Sequence, residues 1–112
     1  MDETYPGAGD ALAEFLPAIG DMRPIERVDF VAESNWKVAV ENYNECYHCK
    51  AVHKTFASGV IDAGSYNIQP FGAAKCLHHT AKAQTGDTAW YDTSGSDYGS
   101  FFLWPAFSLQ IY

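Results

Sequence analysis

The segment 45–53 places side chains that can bind a metal ion close together in the sequence. Glu45 and His48 are three residues apart, so on a helix they lie on one side. His48 and His53 are five residues apart, which puts them about 140° from each other on a straight helix. The two imidazoles can therefore share one ion only if the helix ends, tightens or carries a π-bulge between them. Two imidazoles with a carboxylate can hold Fe(II) and leave positions open for dioxygen and substrate.

The cysteines of the same segment offer a second kind of metal site. Cys46 and Cys49 have a C-x-x-C spacing that suits zinc, and His53 adds a third N or S ligand. A fourth ligand would come from one of three downstream side chains, Cys76, His78 or His79. A second C-x-x-C pair is absent and the first lies in a predicted helix, so packed or exposed free thiols are the favoured interpretation.

Three further candidate ligands lie together on a predicted strand. His78 and His79 are adjacent there and point to opposite faces, so at most one of them reaches a pocket. Formally, Cys46-x-His48 with Cys76-x-x-His79 matches the two halves of a His₂Cys₂ [2Fe–2S] site. Glycine-rich loops that could donate backbone hydrogen bonds to cluster sulfurs are absent around Cys46. We therefore disfavour a cluster within this chain.

Composition limits the classes of protein that the chain can belong to. Its 112 residues, 47% hydrophobic and 19% charged, suit one folded domain. The net charge of −7 repels phosphate, so we expect neither nucleic acid nor an anionic membrane as a partner. No apolar stretch approaches the ~20 residues of a spanning helix, and no signal peptide opens the chain. Three cysteines, an odd number, argue against a disulfide framework and fit a reducing cytoplasm.

The candidate metal ligands must be positioned by the strongest helical pattern of the chain, which covers residues 36–49. It contains neither glycine nor proline, and Trp36, Val40, Tyr43 and Tyr47 recur on one face. We expect this aromatic face to pack in the core. Ser34 or Asn35 is the predicted N-cap.

Shorter patterns predict the rest of the fold. Residues 1–10 resemble a lead-in segment, and a short helix is predicted at 11–16 with Asp10 as its N-cap. Strands are predicted at 25–33, 67–82 and 99–112, with a loop at 59–64 and a hairpin loop before residue 99. Four aromatic residues near the C-terminus are predicted strand core, with a pocket role open for one or two: Phe101, Phe102, Trp104 and Phe107. This order indicates an α+β fold with an antiparallel sheet and a packed helix.

The segment 35–56 carries a specific family resemblance. Its motifs are Asn35-Trp36-Lys37, Glu41-Asn42-Tyr43, Glu45-x-Tyr47-His48, His53 and Phe56. They resemble the start of the catalytic domain in Rieske-type ring-hydroxylating oxygenase α subunits. Many members carry Asp where this chain has Glu45, and Glu resembles the quaternary-ammonium branch, with its carnitine, choline and glycine-betaine oxygenases.

The resemblance implies roles for individual residues. His48 and His53 match the two histidines that bind the mononuclear Fe(II). Glu45 matches the acidic residue that carries electrons between subunits, from a Rieske cluster to the iron. Glu41 and Asn42 could orient His48 from a second layer. The third iron ligand of the family, an Asp or Glu, lies far downstream and is absent here, so we expect no turnover by these 112 residues alone.

The resemblance also implies a larger assembly. The fold is a helix-grip of the Bet v1/START type, present here in part, with residues 1–24 as linker and short helix after an absent Rieske domain and 25–112 as the N-terminal part of the catalytic domain. Electrons come from NAD(P)H through a reductase or ferredoxin and the [2Fe–2S] cluster of a homotrimer. The reaction uses dioxygen to hydroxylate or N-demethylate a small substrate, either a betaine-like quaternary ammonium or an aromatic ring.

Two other classes of function stay open at this point. The first is a non-catalytic module that keeps the pocket and binds a ligand or a partner. The second is a small zinc module that uses Cys46, Cys49 and His53 and would unfold when the metal is chelated.

Overall fold

The computed structural model describes residues 3–72, 75–90 and 96–111, and its centre is a four-stranded antiparallel sheet. The strands lie side by side in the order of the chain. Their bounds are Asn67–Phe71 (β1), Cys76–Ala81 (β2), Tyr98–Leu103 (β3) and Phe107–Ile111 (β4). The predicted α+β class is confirmed.

Each of the two long predicted strands is a hairpin of two shorter strands. The first hairpin turns directly after β1 at Gly72, whose φ of 59° is a left-handed conformation that favours glycine. The second turns at residues 104–106, between β3 and β4. Because β2 pairs with β3, the segment between them is the predicted hairpin loop, of which residues 91–95 lie outside the described part of the chain.

Short helices surround this sheet. Their bounds are Ala8–Phe15 (α1), Trp36–Asn44 (α2), a π-helix at Phe56–Val60, and 3₁₀ helices at Pro17–Asp21 and Gly86–Thr88. The predicted cap of α2 is confirmed, since the Asn35 side chain accepts a hydrogen bond of 2.9 Å from the backbone N–H of Lys37. Within the residues that the structure describes, no helix is both long and apolar enough to cross a membrane.

The helices cover the two faces of the sheet. On one face, the ring of Phe15 from α1 packs edge-on against Phe101 at 5.9 Å. On the other face, Tyr43 from α2 lies 6.0 Å from Phe102. Every residue of β3 is buried, because this strand lies in the middle of the sheet and is covered on both sides. The predicted core role of Phe101 and Phe102 is therefore confirmed, while Trp104 and Phe107 are exposed.

Three local predictions were wrong. Residues 25–33 form no regular secondary structure and pair with no described strand, and Phe30 is 86% exposed. An alternating pattern becomes a strand only where a neighbouring edge accepts its backbone hydrogen bonds. The first helix begins at Ala8, with Gly7 as its N-cap, so Asp10 lies in its first turn. Residues 56–60, placed partly in a loop, form a helical turn.

Candidate metal centre

The C-terminal end of α2 determines where the candidate ligands lie. The helix ends at Asn44, five residues earlier than predicted, because Glu45 takes an extended conformation. Residues 47–52 form turns. The backbone N–H of His53 donates a hydrogen bond of 3.0 Å to the carbonyl of Cys49. This turn brings the rings of His48 and His53 to 5.1 Å between centroids. A straight helix through both residues, which would separate the imidazoles, is not formed.

Glu45 orients the first of these imidazoles. Its Oε1 forms a short hydrogen bond with Nδ1 of His48, and its Oε2 accepts a bond of 2.7 Å from the backbone N–H of Tyr47. The hydrogen bond from His48 is the main cause of a lowered pKa of the Glu45 carboxyl group. The ionised carboxylate can only accept, so Nδ1 of His48 donates to it, and in the neutral imidazole Nε2 keeps its lone pair for a metal.

The donor set of this turn therefore suits a metal ion of the kind that binds imidazole. Carboxylate-to-imidazole bonds of this type hold metal-ligating histidines in other proteins. Within residues 3–72, 75–90 and 96–111, no group of three or more His, Cys, Asp or Glu side chains is placed around one point. Metal binding by His48 and His53 therefore stays a prediction.

The cysteines of this turn correct the sequence-based prediction. Cys46 and Cys49 form a disulfide bond, with their Cα atoms 5.0 Å apart. The prediction of free thiols is wrong for this pair, and so is the zinc site, because disulfide sulfurs are not thiolate ligands. The odd cysteine count argued against a disulfide framework, but a spacing of three on a turn is close enough for one local bond. Cys76 is a buried free thiol whose pKa is raised by burial.

A cavity of about 440 Å³ adjoins the two imidazoles, between α2, the π-helix and the sheet. Four of its lining residues are aromatic: Tyr43, Phe56, Tyr66 and Tyr98. Tyr43 also forms a short hydrogen bond with the hydroxyl of Ser100. The predicted aromatic face of α2 is thus only partly internal, since Trp36 is 49% and Tyr47 is 94% exposed. The aromatic part of this wall can bind an apolar ligand or a cation.

A hydrogen-bonded group beside the cavity was not predicted. His79 of β2 lies between Tyr66, whose hydroxyl is 2.8 Å from Nδ1, and Asn44, whose Oδ1 is 3.2 Å from Nε2. Burial lowers the pKa of His79 to about 4 and raises that of Tyr66 to about 12, so both are neutral at pH 7. The only signal in the sequence was the alternation of His78 and His79, which correctly predicted that one of them faces away from the cavity, where it stacks on Phe101.

The two remaining predicted residues are placed differently from each other. Asn42 lines the cavity beside the imidazoles. Glu41 lines a separate groove with Tyr5 and Trp104. The contact to Nδ1 of His48 is made by Glu45, so an orienting role of Glu41 or Asn42 stays a prediction.

Comparison with known families assigns the chain to one of them. Residues 19–111 match the model of the ring-hydroxylating α subunit, catalytic domain. The chain belongs to this family. The resemblance seen in segment 35–56 is therefore confirmed, and it extends over most of the chain.

Individual relatives are oxygenase subunits. This chain is 30% identical over 118 residues to the carnitine monooxygenase oxygenase subunit of Escherichia coli (strain K12). It is 29% identical over 87 residues to the chloroplastic choline monooxygenase of Beta vulgaris. A glycine betaine monooxygenase oxygenase subunit from Chromohalobacter salexigens is 31% identical over 61 residues. The chain spans 29% of the length of the carnitine enzyme, while 99% of the chain is covered.

A solved structure has the same fold. The crystal structure of the quaternary ammonium Rieske monooxygenase CntA, in complex with an inhibitor, superposes with a TM-score of 0.83 at 25% identity. The match covers 99% of this chain and 29% of that one. The antiparallel sheet and its flanking helices are therefore the arrangement of an oxygenase domain.

Proposed function

We propose that this chain is part of the catalytic domain of a Rieske-type non-haem iron oxygenase, and that His48 and His53 bind its mononuclear Fe(II). The observation that carries the proposal is the interrupted helix, which brings the two imidazoles to 5.1 Å. Glu45 supports it by holding Nδ1 of His48, so that Nε2 is available. The third ligand would be a carboxylate from another part of the protein.

Each residue of the turn would have a separate task. The iron, when bound, would supply the redox chemistry that activates dioxygen. His48 and His53 would hold it at the edge of the cavity, and Glu45 would keep the His48 ring in one orientation and one tautomer. The Glu45 carboxylate is partly exposed, which supports its proposed role as the bridge for electrons from a neighbouring subunit.

The substrate in this proposal is a small quaternary ammonium compound, which is hydroxylated or N-demethylated. The named relatives act on carnitine, choline and glycine betaine. Supporting this, aromatic rings line the cavity and the net charge of −7 attracts cations. An aromatic ring is the second candidate substrate, because the same wall can stack with it.

The proposed protein is larger than the described chain. It would contain a Rieske domain with its [2Fe–2S] cluster before residues 1–24, and residues 25–112 would begin the catalytic domain. Electrons would come from NAD(P)H through a reductase or ferredoxin, and three copies would assemble so that the cluster of one reaches the iron of the next.

Paramagnetic NMR tests the metal site directly. Co(II) is added anaerobically to the ¹⁵N-labelled chain at less than one equivalent, and we expect broadening centred on residues 45–53. The signals should stay sharp in a His48→Ala/His53→Ala variant. In the control variant Lys50→Ala/Lys54→Ala, which alters the same turn but no imidazole, they should broaden as in wild type. Broadening elsewhere, or equal broadening without the two histidines, would contradict the proposal.

A further inference from the structure

His79 is a buried side chain that the proposed metal site does not use. It is 1% exposed and lies on β2 opposite Ser100 of β3, on the face of the sheet that carries the cavity. Tyr43 and Tyr66 lie beside its ring, at 6.1 and 5.9 Å between centroids. A polar ring in such a position is costly unless its two nitrogens are bonded, and both are.

The hydrogen bonds of this ring run in one direction. The Asn44 side chain donates from Nδ2 to the Val40 carbonyl at 2.9 Å, so its Oδ1 faces His79 as an acceptor. Nε2 of His79 must therefore carry the proton. Because the imidazole is neutral, Nδ1 is an acceptor and the Tyr66 hydroxyl donates to it. Donation thus passes from Tyr66 to His79, from His79 to Asn44, and from Asn44 to the backbone of α2.

This chain of bonds ends next to the candidate metal ligands. Asn44 is the last residue of α2, and Glu45, which follows it, holds the ring of His48. At the other end, Tyr66 belongs to the cavity wall, where it stacks on Tyr98. His79 joins the two ends, from a central strand that is paired on both sides.

We propose that His79 is a positioning residue of the metal site: by donating from Nε2 to Asn44 it fixes the end of α2 on the sheet, and thereby the place of Glu45 and His48. The inference rests on the proposed function, since it concerns the same metal site. His79 itself binds no metal in it. The bond from Tyr66 satisfies Nδ1 of the buried ring and is not part of the attachment to α2.

The proposal separates two substitutions of similar size. His79→Gln keeps an N–H donor close to the position of Nε2, whereas His79→Asn keeps a polar atom only near Nδ1 and loses the donor that reaches Asn44. We expect Co(II) to bind about tenfold more weakly to His79→Asn than to wild type, which is the low end of the effect of losing a residue that supports metal ligands. We expect nearly wild-type affinity for His79→Gln. Tyr66→Phe, which leaves the bond to Asn44 in place, should also keep its affinity.

Two measurements without metal keep the proposal falsifiable if a variant folds poorly. Long-range ¹H–¹⁵N spectra of the wild-type chain at pH 7 should show His79 as the Nε2–H tautomer, and an Nδ1–H tautomer or an imidazolium would overturn the proposal. The Nδ1–H signal of His48, which reports its bond to Glu45, should be present in wild type and His79→Gln and exchange-broadened in His79→Asn.

Failure of this inference differs from failure of the proposed function. If Co(II) does not broaden the signals of residues 45–53 in the wild-type chain, the proposed function is wrong. If Co(II) binds at residues 45–53 with equal affinity in wild type, His79→Gln and His79→Asn, the metal site stands and the positioning role is refuted.

Discussion

Acidification should destabilise this protein through His79. Burial is the largest cause of its lowered pKa, which is about 4 against 6.5 for an ordinary imidazole, and the neighbouring His78 adds to it. Unfolding exposes the ring, so the unfolded chain binds a proton at a higher pH than the native one. Stability that is present above about pH 6.5 is therefore lost as the pH falls toward 4.

The size of the effect follows from the two pKa values of His79. Their difference corresponds to about 3 kcal/mol of unfolding free energy when the pH has fallen to the native value. Between pH 7 and pH 5 the loss is about 2 kcal/mol, because most of the unfolded chains already carry the proton at pH 5. Of the titratable groups near the ring, Tyr43 and Tyr66 are phenols. Burial also lowers the pKa of His78, which therefore adds a loss of the same sign that the comparison of variants must separate.

Urea unfolding in EDTA, followed by tryptophan fluorescence at pH 7 and pH 5, measures this loss. The comparison is between wild type and His79→Gln, which has no titrating group at this position. We expect the wild type to lose about 2 kcal/mol more than the variant between the two pH values. His78→Gln is the matched control, since it removes the adjacent imidazole on the opposite face and should leave most of the loss. An equal loss in wild type and His79→Gln would refute the reasoning.

Two further predictions concern packing and the disulfide bond. Gly99→Ala should lower the unfolding free energy by about 1–3 kcal/mol, since a Cβ there would lie 2.3 Å from the Phe15 ring. Gly20→Ala, where a Cβ would meet no atom within 4 Å, should leave the unfolding free energy unchanged. Urea unfolding measures both variants. Alkylation of the denatured, unreduced protein should label one of its three cysteines, and all three after reduction, because Cys46 and Cys49 are bonded. Mass spectrometry counts the labels, and three without reduction would contradict the bond.

The helix at residue 36 shows how far a periodic pattern extends. Its start was predictable because Asn35 is a good N-cap and the bond is local. Its end was not, since no glycine or proline marks it. The helix ends where the Glu45 side chain binds the backbone of Tyr47 and the ring of His48, which competes with helical bonding.

The sequence by itself determined the family, the spacing of His48 and His53, and the alternation of His78 and His79, because these depend on residue order and local geometry. The tertiary structure decided which of the two strand histidines faces the cavity and what binds it. The partners of His79 lie 13 and 35 residues away in the chain. Their meeting depends on the register of β1 with β2 and on the placement of α2 over the sheet, and both are fixed by burial of the whole domain.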